Sequence, residues 1–94
     1  MNPTITIVTV VFNGIIDIEK TICSVIYQNY QNIEYIVIDG GSTDGTINII
    51  KKYEKSISYY ISEPDSGIFD AMNKGIKIAT GDWILFLNVG DILC

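Results

Sequence analysis

Apolar positions along this chain follow two rhythms that alternate. Thr4 to Phe12 (TITIVTVVF) is β-branched and almost wholly apolar, which predicts a strand buried on both faces. It runs into Asn13-Gly14, after which Ile18, Ile22, Val25 and Ile26 recur at helical spacing to about Asn29, with Asp17 placed to cap that helix. Glu34 to Ile38 (EYIVI) reads as a second buried strand, closed by Asp39-Gly40-Gly41-Ser42, and Ile47 and Ile50 mark a helix through about Glu54. Ser58 to Ile61 is shorter and more polar, as expected of a strand near a sheet edge. Phe69, Met72, Ile76 and Ala79 predict the apolar stripe of a third helix, and Trp83 to Leu87 (WILFL) a fourth strand.

This β-α-β-α-β-α-β order implies right-handed crossovers, hence an α/β fold: a three-layer, Rossmann-like, mostly parallel sheet with strand order 3-2-1-4. The switch point falls between strands one and four, beside Phe12-Asn13-Gly14 and Asn88-Val89-Gly90-Asp91. Such sheets bind ligands outside the carboxyl ends of their strands. Carboxylates and glycines gather there in this chain, which suggests a metal-assisted phosphate site.

Composition narrows the chemistry. The 94 residues, 48% apolar, suffice for one small domain of modest stability. Six basic against eleven acidic residues give a net charge of -5, and every base is a lysine, so nucleic acid is not expected as a partner. The absence of histidine removes Ser-His and Cys-His nucleophiles and the commonest zinc ligand. Cys23 and Cys94 form neither a CxxC motif nor a disulfide framework, in keeping with a reducing, cytoplasmic setting. No apolar run reaches the roughly 18 residues of a membrane span, and Met1 to Thr4 lacks the basic start of a signal peptide.

Five blocks occur in order: VTVVFNG, IDGGSTDGT, SEPDSGIFDAMNKGI, ATGDW and FLNVGD. Together they resemble the family-two glycosyltransferases of the GT-A fold, bacterial enzymes that build polysaccharides from nucleotide-sugars, and the resemblance extends over essentially the whole chain. It implies that residues 1–94 are the N-terminal, nucleotide-diphospho-sugar-binding part, ending just after the metal motif, with the acceptor half and catalytic base beyond it. The expectation is a chain that binds a UDP- or GDP-sugar without turning it over, the carbohydrate or lipid-linked acceptor being held by the other half at the inner face of the membrane. The resemblance leans toward inversion of configuration.

Roles follow for individual residues. A fixed carboxylate at Asp39 can accept the imino N–H of uracil or the N–H edge of guanine, beside a Gly-Gly turn that lets a ligand approach. The resemblance gives Asp39 that base-reading role, against the plainer reading of a helix cap, which suits Asp44 better. Thr9, Phe12 and Asn13 would form the other wall around base and ribose, although Thr9 also fits ordinary strand packing. An acidic protein without arginine needs Mn²⁺ or Mg²⁺ to hold a diphosphate, and Asp91 is the natural ligand, with Asn88 offering a neutral oxygen where the family's Asp-x-Asp motif is reduced to NVGD. Around the start of the third helix, Asp65 and Gly67 belong to the donor site. Asp70 is directed to sugar or ribose, and Lys74 to phosphate or, equally, to an ion pair with Asp70 four residues away. Tyr59, Tyr60 and Trp83 read as packing residues.

A noncatalytic nucleotide-binding or oligomerising module is the main alternative, because the fourth strand is left with an open edge and an apolar face, from which a homo-oligomer is expected. A dinucleotide-dependent oxidoreductase fits less well: Gly40 to Gly45 lacks the middle glycine of GxGxxG and follows strand two. A phosphoacceptor receiver domain would need an acidic pair after strand one, which this chain does not have.

Overall fold

The computed structural model describes residues 3–89, so Asp91, the expected metal ligand, lies outside the described residues. Four parallel strands form one sheet in the order β3-β2-β1-β4: β1 (Ile5–Val11), β2 (Ile33–Asp39), β3 (Tyr59–Ser62) and β4 (Trp83–Phe86). Helices α1 (Ile18–Ile26), α2 (Thr46–Lys52) and α3 (Ile68–Ile78) make the crossovers, and a 3-10 turn, Glu54–Ser56, precedes β3. The expected architecture and strand order are both present.

β1 and β2 are central because their side chains are apolar on both faces. Ile7, Tyr35 and Val37 pack against Ile18, Ile22 and Val25 of α1 and Ile50 of α2. Val8, Ile36 and Ile38 face the other way, onto Ala71 of α3. Each fully buried isoleucine contributes roughly 1.5–3 kcal/mol, and these two strands supply half of the buried apolar side chains, the helices most of the rest. Pairing of Val11 with Asp39, and of Asp39 with Ser62, brings three strand ends level at one rim of the sheet.

The third helix departs from its expected face. Its buried positions are Ala71 and Gly75, with Ile78 packed beside them, while Phe69 and Ile76 are exposed. Small residues win this face because the helix sits close on the sheet: a Cβ on Gly75 would lie 2.6 Å from Val8 Cγ1. Larger side chains cannot occupy that seam and are turned outward. Asp17 also behaves differently from expectation, occupying the N-cap position of α1 without a side-chain cap bond.

The rim at the amino ends of the strands is closed by a clasp. Glu34 accepts hydrogen bonds from the Thr6 hydroxyl (2.7 Å), the Thr80 amide (2.8 Å) and the Thr80 hydroxyl (2.7 Å). Partial burial alone would raise its pKa, but the combined donors from Thr80, Thr6 and Gly81 hold the carboxyl below its usual value. Gly81 N donates to the Thr6 hydroxyl and Asp82 N to the Thr4 carbonyl, pinning the start of β4 to the start of β1.

The two edge strands are less covered. Tyr60 is half-buried against the core, its hydroxyl donating to Glu54, but Tyr59 and Trp83 are exposed. Their expected packing role therefore holds for Tyr60 alone, because an edge strand has a neighbour on one side only. Among the described residues no helix is long and apolar enough to cross a membrane.

Candidate functional site

At the carboxyl rim, a cleft of about 440 Å³ opens between the ends of β1 and β2 and the start of α3. Val10, Val11, Phe12, Gly40, Asp65, Gly67, Ile68 and Ala71 line it. Three of the expected residues thus meet in one place: Phe12, Asp65 and Gly67. Phe12 is 65% exposed at the mouth, a flat apolar ring at the sheet's switch point. Asp65 accepts from the Gly67 amide through Oδ1 (3.0 Å), and its other oxygen lies directly over Gly40, where a Cβ would sit 2.9 Å from Oδ2. Gly67 has φ +120°, a conformation that favours glycine and turns the chain sharply into α3.

Asp39, next to Gly40 at the end of β2, is wholly buried and does not itself line the cleft. Its Oδ2 accepts from Gly41 N (3.1 Å), Ser42 N (2.9 Å) and the Ser62 hydroxyl (2.7 Å), and its Oδ1 from the Ser42 hydroxyl (2.6 Å). The carboxylate therefore shapes the loop after β2, whatever else it does. Gly40 lines the cleft, as its Gly-Gly turn led one to expect, whereas Ile68 was not singled out in the sequence, and Ser42 and Ser62 were missed as partners of Asp39. For Ser42 the signal was present, since an Asp followed by Gly-Gly-Ser is the spacing at which its carboxylate meets amides two and three residues on.

Asn13 has φ +50° and serves as a link between loops. Its amide donates to the Ser42 hydroxyl (2.7 Å) and its side-chain oxygen accepts from Thr43 N (2.8 Å). Gly14 N donates to the Thr46 hydroxyl and Ile15 N to Asp44. Asp44 also receives the amide and hydroxyl of Thr46 at the first turn of α2, but the N-cap position is Gly45, so Asp44 steadies that turn from one residue before the cap rather than capping it as expected. Donation from the Thr46 hydroxyl, more than the loss of solvent, holds the Asp44 carboxyl below its usual pKa.

Other expected residues lie apart from the cleft. Thr9 is fully buried, sharing a hydrogen bond with the Tyr35 hydroxyl (2.9 Å), because strand alternation turns it with Ile7 toward α1 and α2. Burial in turn pushes the Tyr35 phenol up to about 12. Lys74 lies 3.0 Å from Glu63 and 3.7 Å from Asp70, and the Glu63 hydrogen bond holds its ammonium above its usual pKa. Asp70 accepts from Ser66 N (3.0 Å) at the head of α3. Asn88 is exposed just beyond β4. No group of three or more metal-ligating side chains occurs among the described residues.

Residues 6–92 match the family described as glycosyl transferase family 2. The chain belongs to that family. An uncharacterized glycosyltransferase of Mycobacterium tuberculosis is 43% identical over 90 residues, covering 95% of this chain and 34% of that protein. The family-2 chain thus spans about a third of the length of the curated relatives it matches. S. aureus TarS 1-349, solved in complex with UDP, superposes with a TM-score of 0.83 at 25% identity, over 92% of this chain and 27% of that one. A mannosyltransferase from Pyrobaculum calidifontis, solved with GDP-Man and Mn²⁺, superposes with a TM-score of 0.85 at 23% identity, over 94% of this chain and 28% of that one. The GT-A fold of the family-2 chain is established by these likenesses.

Proposed function

We propose that this chain is the donor-binding half of a bacterial glycosyltransferase that moves a sugar from a UDP- or GDP-sugar to a hydroxyl acceptor in polysaccharide biosynthesis. The cleft lined by Phe12, Gly40, Asp65 and Gly67 carries the reading, because it lies where parallel α/β sheets hold nucleotides and has room for a base and ribose. Family membership and the likeness to the UDP complex of TarS support it. Phe12 offers a ring for the base to stack on, and Asp39 an acceptor for its N–H once the Ser42 hydroxyl turns aside. Asn13 keeps the two loops together around that base, while Thr9 acts at one remove by fixing Tyr35 under β1. Asp65 and Asp70 lie beside the sugar and ribose, and Lys74 reaches phosphate by leaving Glu63.

A divalent cation fits the donor set. Asp91 would supply a carboxylate and Asn88 a neutral oxygen, both of the hard oxygen type that Mn²⁺ and Mg²⁺ take. Bound there, the metal would offset the diphosphate charge that a protein of net charge -5 cannot offset itself. The reaction takes place on the cytoplasmic side of the membrane, with a lipid-linked or carbohydrate acceptor held by the part of the enzyme that supplies the base.

Calorimetry with UDP and GDP in Mn²⁺ and in EDTA tests this. Weak binding that disappears in EDTA and in Asp91→Ala, with the melting transition of the variant kept, is the expected result; equal affinity with and without metal would overturn the metal assignment. NAD bound in preference to UDP would replace the reading with a redox one.

The outer edge of β4 is unpaired among the described residues, and Trp83 (67% exposed), Ile84 (41%) and Leu85 (43%) present apolar area there. Two copies of this chain are expected to pair through that edge. A monodisperse monomer in analytical ultracentrifugation at micromolar concentration would refute the pairing.

A further inference from the structure

A second hollow, of about 180 Å³, lies at the opposite end of β2 from the cleft, between the last turn of α1, the start of β2 and the 3-10 turn. Gln28, Tyr30, Gln31 and Ser56 supply its polar lining, Ile26 and Ile33 part of its apolar wall. Two of these groups are held in place. Gln28 donates its side-chain Nε2 to the Ser24 carbonyl (2.9 Å), and Tyr30 donates its hydroxyl to the Pro3 carbonyl. None of the lining side chains is an acid, a lysine or an arginine. The hollow also sits at the carboxyl end of α1, the negative end of the helix dipole, and the last turn of α1 carries no basic residue to offset it. Tyr27, between the lining residues Ile26 and Gln28, is 75% exposed.

These features select a ligand by exclusion and by match. An anion meets the negative end of a helix and no cation in the lining, and a divalent metal meets no carboxylate. A purely apolar ligand would strip water from two amides and a serine hydroxyl without replacing it. A polyol does replace it, because each of its hydroxyls both donates and accepts, as do carboxamide and serine side chains. Its C–H face can lie on the Tyr30 ring and the isoleucines. The volume lies below the roughly 300–1,000 Å³ of pockets that bury drug-sized ligands, so it takes one ring and not a nucleotide. We infer that this hollow is a second binding site, for one neutral hexose unit of a saccharide. It is separate from the donor cleft, and its ligand is read from its own lining, whatever nucleotide the cleft takes.

Titration of the ¹⁵N-labelled full chain with glucose, maltotriose and glucuronate, followed by amide chemical shifts, tests it. Glucose and maltotriose are expected to move the amides of residues 25–31 and of Ser56, with affinity on the order of millimolar, as befits a ligand of one ring. Glucuronate, the same ring with a negative charge, should bind several-fold more weakly. Gln31→Ala and Ser56→Ala, both at exposed positions, should each weaken glucose binding about three- to tenfold, the worth of one neutral hydrogen bond. Lys55→Ala, beside Ser56 but outside the lining, should leave it unchanged. Shifts confined to the cleft residues Phe12, Gly40 and Asp65, or no shifts with any sugar into the tens of millimolar, would overturn the site. Glucuronate bound more tightly than glucose, with the gain lost in Lys55→Ala, would overturn the neutral-sugar assignment, and glucose bound with maltotriose excluded would overturn the saccharide one.

Discussion

Asp39→Ala is expected to lower the stability of this chain by about 3 kcal/mol, because it removes the common acceptor of four donors in a region closed to water. For a domain of 94 residues, total stability is on the order of 5–14 kcal/mol, so the loss is a large share of it. Asp39→Asn should cost much less, about 1 kcal/mol. The substituted amide can turn its oxygen to the Gly41 and Ser42 amides and its NH₂ to the Ser42 hydroxyl, which becomes an acceptor. That orientation keeps the loop but places a donor where a base N–H would have to bind. The asparagine variant is therefore expected to fold and to lose nucleotide affinity, separating the two duties of one carboxylate. Urea titration and calorimetry on both variants check this; an alanine variant as stable as wild type would show that the four bonds do not hold the loop.

Gly81→Ala carries the other large effect. A Cβ at this position would lie 2.4 Å from the Thr6 hydroxyl oxygen, 2.8 Å from Thr6 N and 2.9 Å from the Thr4 carbonyl oxygen. Two of these are backbone atoms of the central strand and cannot step aside, so β4 must move off β1, and the bonds from Gly81, Asp82 and Trp83 to Thr4 and Thr6 are strained or broken together. A loss of about 3 kcal/mol or more is expected, lowering the melting temperature by on the order of 12–24 °C. Thermal unfolding followed by circular dichroism reads it directly. A shift of a degree or two would mean that the strands approach less closely than their geometry implies.

The contrast between these two positions explains what could be read from the chain alone. Strand order and layer count were legible because β1 and β2 are apolar on both faces and the crossovers have one permitted hand. Phe12, Asp65 and Gly67 could be placed at the cleft from the sequence because their position at a strand end or helix start follows from local pattern. What escaped were relations between residues distant in sequence. Gly81 meets Thr6 across 75 positions, and nothing in Ala-Thr-Gly-Asp-Trp announces that partner. The seam of α3 was misread for a related reason: Phe69 and Ile76 outweigh Ala71 and Gly75 in any count of apolar residues, yet helix-to-sheet distance decides the buried face. Thr9 and Lys74 went to competing partners, Tyr35 and Glu63, that only the folded chain brings near.

The lacing between the turn after β1 and the turn after β2 has a consequence for engineering. Asn13, Gly14 and Ile15 are bonded to Ser42, Thr43, Asp44 and Thr46, so the two segments behave as one cassette. Importing a foreign nucleotide preference by grafting either turn alone would leave half of these donors and acceptors facing strangers. A graft has to carry residues 12–15 and 39–46 together, and libraries that randomise one stretch at a time will sample mostly broken cassettes rather than new preferences.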